Sequence, residues 1–540
     1  MSAGPATPSV PVVPASHQGV NPWLVAFAVV VPTFMEVLDT TVANVALRYI
    51  AGGLSSAVTD SEWVITSYLA ANAIILPITG WLSAHVGRRR YLLLSIAVFT
   101  AASVLCGLST NLAMLILFRI LQGLAGGGLQ PSSQGILLDA FPREKQGAAQ
   151  TLFGIAALIA PVIGPSLGGY ITDQYSWRWI FYINLPVGAL AFLLCAALVH
   201  DPSYLEAERA SLKKQAFRFD SIGLGLLVLM LVSWEILLSK GQEWDWFGDP
   251  FGRIQTLVTL CVGGLAGLVW WETRQARPVV NLRPLGERNF ALCCVIIFCS
   301  YAVLYGSSTL LPGMLETLFG YDAFHAGLVL SPSGIFTIMA IIMAGRLLGR
   351  GLDARWLIGA GLLVMAAGSW WMSVLNLEIS PGQVIWPRVV LVLGLGIVFA
   401  PLNVAAYLYT PQKLRGAAVG LFALLRNEGG SFGTSLGQTL TERREQLHAL
   451  RLNENLDRLN PAVASFLNQA RPALMHQTGD PVAARRMALQ ALDNLRGSQA
   501  LSLAYFDCFL IFAAIGVVLA LLVPWMKRSV LEKGAHIAAE

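Results

Sequence analysis

The chain has 540 residues, of which 55% are hydrophobic and only 12% are charged, and its mean hydropathy is +0.63. Soluble domains carry about 25% charged residues, so this composition excludes a string of ordinary soluble domains. The net charge of +5 comes without a basic stripe, which argues against nucleic-acid binding. No cysteine pair shows CxxC spacing, and we expect neither disulfides nor a metal site.

Apolar runs that approach the ~20 residues needed to cross a bilayer recur from residue 23 onward. They predict an all-α integral membrane protein with two six-span halves and two extra spans between them. The predicted regions are, in chain order, a disordered cytoplasmic tail (1–22), an N-terminal half (23–200), a cytoplasmic linker (201–220), two inserted helices (221–272), a cytoplasmic linker (273–289), a C-terminal half (290–526) that includes a polar helical segment outside the membrane (441–503), and a cytoplasmic tail (527–540).

Lysine and arginine concentrate in alternate loops, for example at 85–90 and 346–355. Loops rich in these residues face the cytoplasm, so we expect both termini there. An even number of spans follows, and the apolar runs give fourteen.

One segment occurs twice. GAAQTLFGIAALIAPVIGPSLG at 147–168 recurs as GAAVGLFALLRNEGGSFGTSLG at 416–437. The repeat predicts two homologous halves, with 221–272 inserted between them. Internal repeats of this kind are typical of transporters, whose substrate site lies where the repeats meet.

Several charged residues fall inside predicted spans, where charge is costly and indicates function. Glu36 and Asp39 lie three residues apart on one helix face, and two such carboxylates repel each other, which favours binding of a proton. Arg119 in the fourth span is their natural partner. We predict that these three residues couple transport to protons. The alternative is that one acid only pairs with an arginine to hold helices together.

Other polar residues at membrane depth are candidates for a substrate cavity. They are Asn44, Gln122, Arg426, Asn427 and Glu428. For Glu235 and Asp507 a structural role is favoured.

The fifth span carries prolines that bend a helix and glycines that admit a close neighbour. We expect it to lie at the seam between the halves and to close the outward side. Its motif residues are Pro161, Gly164, Pro165, Gly168 and Gly169.

Two short inward loops read as a cytoplasmic gate, in which arginines cap helix ends and pair across the halves. The candidate gate residues are Gly80, Gly87, Arg88, Arg89, Asp353 and Arg355.

The ordered motifs LDTTVANVAL (38–47), RILQG (119–123), GPSLGGY (164–170) and WIFYINLPVG (179–188) resemble those of the 14-helix drug:proton antiporters of the major facilitator superfamily. The polar segment at 441–503 and EWDWF at 243–247 further resemble the EmrB-like branch. One departure is Ala84, which stands where the superfamily usually has an acid.

This resemblance implies a major facilitator fold and proton-coupled efflux of drugs or toxic amphiphiles across the bacterial inner membrane by alternating access. It implies no cofactor beyond the proton gradient. It also implies a tripartite pump with a periplasmic adaptor and an outer-membrane channel, for which 441–503 would be the docking surface. A solvated hairpin without a role is the other interpretation of that segment.

Rival functions remain open at this point. A substrate-specific exporter or an uptake symporter would use the same fold, although the Gly-Pro motif of the fifth span argues against uptake. A non-transporting membrane scaffold is disfavoured by the acids in the first span. The sequence shows no nucleotide-binding loop or nucleophile elbow, so we do not expect an enzyme.

Overall fold

The computed structural model describes residues 21–142, 145–201, 220–275, 278–377, 380–411, 414–454, 456–457 and 460–530. These ranges are helical, with no strand among them, as the predicted fold class requires. The predicted tails and the linker at 201–220 lie largely outside the described residues.

The long helices follow one another closely along the chain. In order they are α1 (Pro22–Gly53), α2 (Trp63–Val86), α3 (Arg88–Leu108), α4 (Leu112–Gly126), α5 (Leu129–Ala140), α6 (Gln146–Gln174), α7 (Asn184–Leu198), α8 (Ser221–Lys240), α9 (Arg253–Glu272), α10 (Arg288–Phe319), α11 (Ala323–Leu330), α12 (Pro332–Gly349), α13 (Ala354–Ser373), α14 (Pro381–Leu408), α15 (Arg415–Asn453), α16 (Pro461–Thr478) and α17 (Pro481–Leu522).

Within the described ranges, twelve helical stretches are long and apolar enough to cross a membrane, with α4 and α5 forming one of them. The bent helix α6 makes a thirteenth, because it turns by 45° between Gln146–Pro161 and Ser166–Gln174. Helix α15 packs inside the bundle against α2, α10 and α17 but is too polar to count on composition. Fourteen spans with cytoplasmic termini therefore stay a prediction.

The two copies of the repeated segment lie in α6 and α15, and both helices cross the seam between the halves. Helix α6 belongs to the N-terminal half and contacts α11, α12 and α14 of the other half. Helix α15 belongs to the C-terminal half and contacts α2 and α5. The repeat thus supplies one seam helix from each half.

Glycines allow each seam helix to pack closely against the first helix of its own half. A Cβ at Gly164 would overlap the side chain of Thr41 on α1, and a Cβ at Gly433 would overlap the carbonyl oxygen of Ala302 on α10. The expected close approach is therefore present. Gly169 does not take part, since nothing lies within 4 Å of the position of its Cβ.

The inserted helices α8 and α9 form a hairpin on one side of the bundle. Helix α9 packs on α8, whereas α8 contacts both α2 and α15 and so touches both halves. At the turn between them, Arg253 hydrogen-bonds to Asp249 and lowers the pKa of that carboxyl to about 2. The insertion is a bridge across the seam.

The last residue of α8 and the loop that follows it also reach both halves. Lys240 Nζ donates to Glu62 Oε2 at 2.7 Å in the N-terminal half. Gln242 Nε2 donates to Glu442 Oε2 at 2.6 Å in the C-terminal half. We call the end of the bundle that carries this loop and α16 the outer end.

The described residues of the polar segment at 441–503 are largely helical. Helix α15 runs on to Asn453, and α17 begins at Pro481 before it enters the bundle. The side chain of Asp480 accepts a hydrogen bond from the Val482 backbone N–H at 2.9 Å and so caps the N-terminus of α17. His448 Nε2 on α15 and Asp507 Oδ2 on α17 are hydrogen-bonded at 2.8 Å. Asp507 thus links two helices, which is a structural role.

The close packing of α15 on α10 at Gly433 can be tested by Gly433→Ala. Because the added methyl group meets the Ala302 carbonyl, we expect α10 and α15 to separate, at a cost of about 1–3 kcal/mol in the free energy of unfolding. The measurement is the thermal unfolding midpoint of the purified protein. Gly263→Ala on α9 is the control, since that position has nothing within 4 Å. Equal midpoints for both variants would contradict the close packing.

Candidate functional site

The Asp39 carboxylate lies in a cluster that belongs entirely to the N-terminal half. Arg119 Nη1 donates to Asp39 Oδ2 at 2.6 Å, while Gln122 and Asn184 donate to Oδ1 at 3.0 and 2.7 Å. Arg119 has no exposed surface, and its guanidinium stands 4.1 Å from the centre of the Tyr68 ring. The expected pairing of Asp39 with Arg119 is present, as a fully enclosed ion pair.

Glu36 takes part in a second cluster, which reaches the other half of the protein. Asn72 Nδ2 donates to Glu36 Oε1 at 3.0 Å, and the Gln130 amide donates to Oε2. The side-chain oxygen of Gln130, Oε1, in turn accepts a hydrogen bond from the Arg426 guanidinium on α15. A hydrogen-bonded chain Glu36–Gln130–Arg426 therefore crosses the interface between the halves.

Glu36 and Asp39 do not form the carboxylate pair that their spacing suggests. Although both lie on α1, Asp39 faces donors on α4 and α7, and Glu36 faces donors on α2 and α5. Each acid has its own amide donors, so the two carboxylates belong to separate clusters. Only Glu36 is connected to the C-terminal half.

Arg426 is buried at the seam with an incomplete set of acceptors. Its side chain is 1% exposed, and Phe153 and Tyr301 face the guanidinium at 5.7 and 5.8 Å. Nη1 finds no hydrogen-bond partner among the described residues. A guanidinium stays charged. Loss of the hydrogen bond to Gln130 would therefore leave a buried positive charge with one acceptor fewer.

A second polar contact crosses the seam nearer the inner end. Gln134 Nε2 on α5 donates to Asn403 Oδ1 on α14 at 2.6 Å. The Tyr407 hydroxyl donates to the side-chain oxygen of Gln134, Oε1, at 3.4 Å. Sequence reasoning missed Gln130 and Gln134. The signal available was the polar run QPSSQ at 130–134, which lies in an apolar span and is buried throughout.

A cavity of about 200 Å³ opens between α1, α2, α8, α10 and α15. Of the predicted cavity residues, Asn44 and Asn427 line it. Gln122 belongs instead to the Asp39 cluster, and Arg426 to the chain across the seam. Glu428 is buried behind the wall, next to Glu235, which does line the cavity. The structural role favoured for Glu235 stays a prediction, since its place on the cavity wall does not test it.

Gly80 brings the two halves together at the inner end, where a Cβ would collide with the Gly416 backbone. The gate arginines find acceptors in their own halves. Arg88 pairs with Asp139 on α5, and Arg355 pairs with Asp353 at 2.8 Å.

Arg89 donates to the Ala196 carbonyl oxygen at 2.6 Å. Gly87 adopts φ +99° in the turn between α2 and α3, a conformation that favours glycine.

The comparisons with known proteins agree with this architecture. Residues 29–434 match the family model of the Major Facilitator Superfamily. The proton:xylose symporter XylE superposes with a TM-score of 0.58 over 95% of this chain and 97% of its own, at 12% identity. The human organic anion transporter TETRAN superposes with a TM-score of 0.56 over 93% of this chain and 99% of its own, at 13% identity.

Bacterial relatives are closer in sequence. The probable multidrug resistance protein EmrY of Escherichia coli K12 is 35% identical over 96% of this chain and 98% of its own length. The multidrug export protein EmrB of the same strain is 35% identical over 84% and 86%. The fatty acid resistance protein FarB of Neisseria gonorrhoeae is 37% identical over 78% and 81%. The chain thus belongs to the major facilitator superfamily, as an EmrB-like multi-pass membrane transporter and not an enzyme.

Proposed function

We propose that the protein is a proton-driven exporter of drugs or toxic amphiphiles in the bacterial inner membrane, which needs no cofactor beyond the proton gradient. The observation that carries the proposal is the chain Glu36–Gln130–Arg426, which connects a buried acid of one half to a buried cation of the other. The names of EmrB and EmrY support export over uptake.

The two acids would act at different steps. A proton on Asp39 removes the charge that Arg119 binds and weakens a charge-assisted hydrogen bond. A proton on Glu36 makes its carboxyl a poorer acceptor for the Gln130 amide, which loosens the contact of Gln130 with Arg426. The halves would then be free to rock against each other, each held together by its own glycine contacts, and expose the cavity to each side in turn.

Asp39→Asn should abolish export while the protein still inserts, because the amide cannot carry the exchanged proton. The measurement is substrate accumulation in inside-out vesicles with an imposed acid interior. Asp507→Asn is a matched control, since that acid joins two helices at the outer end. Normal export by Asp39→Asn would remove it as a proton carrier, and accumulation only with the opposite gradient would favour an uptake symporter.

Arg119→Lys should restore only part of the export that Arg119→Ala loses. Arg119 donates at once to Asp39, to Gln122 and to the Val64 carbonyl oxygen at 3.1 Å, and an ammonium group lacks this planar fork. The same vesicle assay measures both variants, after their insertion has been checked. Full activity of the lysine variant would show that only the charge matters.

We also propose that the outer segment docks a periplasmic adaptor of a tripartite pump. Apolar side chains on its surface support this, since Leu450, Val482 and Leu495 are at least half exposed. Such exposed side chains supply apolar area that a protein partner could bury.

The docking proposal predicts that combined Leu450→Ser, Val482→Ser and Leu495→Ser substitutions reduce capture of a co-expressed adaptor by about tenfold or more, because each removes buried apolar area from the contact. Proton-driven transport by the variant alone should persist. Gln490→Ser and Gln469→Ser serve as the exposed control. Undiminished capture would exclude this surface.

A further inference from the structure

A pair of acids lies on the bridge that the inserted helices make across the seam. Glu235 on α8 is 3% exposed and Glu428 on α15 is 5% exposed. Their carboxyl groups lie within hydrogen-bonding reach of each other. Two ionised carboxylates are both acceptors, so a hydrogen bond between them requires a proton on one of them.

The pair differs from Asp39 in having no cation. The other groups around it are neutral: Ser431 and Trp234 lie beside the carboxyl groups, and Cys261 lies near Glu428 on α9. No lysine, arginine or histidine of the described ranges contacts either carboxyl. Glu428 Oε2 is buried and has no hydrogen-bond partner there. The pair is short of positive charge.

The cavity beside the pair is lined by residues that suit a positively charged ligand. Glu235 forms part of its wall, together with the Tyr305 ring and the amides of Asn44 and Asn427. An aromatic face next to a carboxylate is a recognised site for ammonium groups. The other charged lining residue, Glu62, is already paired with Lys240 at 2.7 Å.

We propose that this cavity binds the ammonium group of a compact lipophilic cation, with Glu235 as its counter-ion and Tyr305 as its aromatic wall. Binding displaces the proton shared by Glu235 and Glu428, which leaves to solution as the cation enters, so the net charge of the site is unchanged. That this cation is cargo rests on the proposed function; the binding itself does not.

The test uses the purified full-length protein and benzyltrimethylammonium as the probe, with binding followed by calorimetry and proton release by pH in weak buffer. Its uncharged isostere neopentylbenzene is the comparison ligand. The wild type should bind the cation and release close to one proton for each cation bound. Glu235→Gln should weaken binding by about tenfold or more and abolish the release.

Glu428→Gln separates the two roles, because the glutamine amide can donate to an ionised Glu235. This variant should bind the cation but release no proton. Glu272→Gln, a buried acid at the inner end of α9, should behave like the wild type. Wild-type binding by Glu235→Gln, or neopentylbenzene competing as well as the cation, would overturn the proposal.

Failure of the site and failure of the exporter proposal give different results. If reconstituted protein shows no proton-driven flux of any compound, the exporter proposal fails, and the calorimetric result for Glu235 still stands. If flux is present and Glu235→Gln binds the cation normally, the site fails and the exporter proposal stands.

Discussion

Buried guanidinium groups constrain the whole bundle, because an arginine in an apolar setting stays charged and must find acceptors. Arg119, Arg388 and Arg426 are all buried, and each meets a different set. Arg119 has a carboxylate, Arg388 has the hydroxyls of Ser307 and Ser308, and Arg426 has one amide oxygen. Of these three, Arg426 meets the fewest acceptors, and it lies at the seam, where the proposed rocking of the halves would break a contact.

Close backbone packing and polar contact play complementary parts at that seam. Glycines hold α6 on α1 and α15 on α10, so each half is closely packed within itself. Between the bodies lie amide contacts such as Gln134 with Asn403, which are weaker than ion pairs and break at less cost. The inserted helices add a bridge on one side, which must give way if the outer end opens.

Part of the site could be predicted from sequence and part could not. The pairing of Asp39 with Arg119 was predictable, because two opposite charges in separate spans each need a partner. The partners of Glu36 were not, since Gln130 and Arg426 lie far away in the chain and only packing brings them together. The proximity of Glu235 to Glu428 was not predictable either, since the sequence does not fix which residue of α8 faces α15.

The central claim is that substrate and protons move in opposite directions through one protein. The most direct measurement is the pH inside proteoliposomes when a substrate gradient is imposed without any pH gradient. The substrate is the compound to which a deletion strain becomes most sensitive. Coupled exchange is reciprocal, so substrate leaving the vesicles should draw protons in and acidify the interior. Substrate movement with an unchanged internal pH would contradict the account.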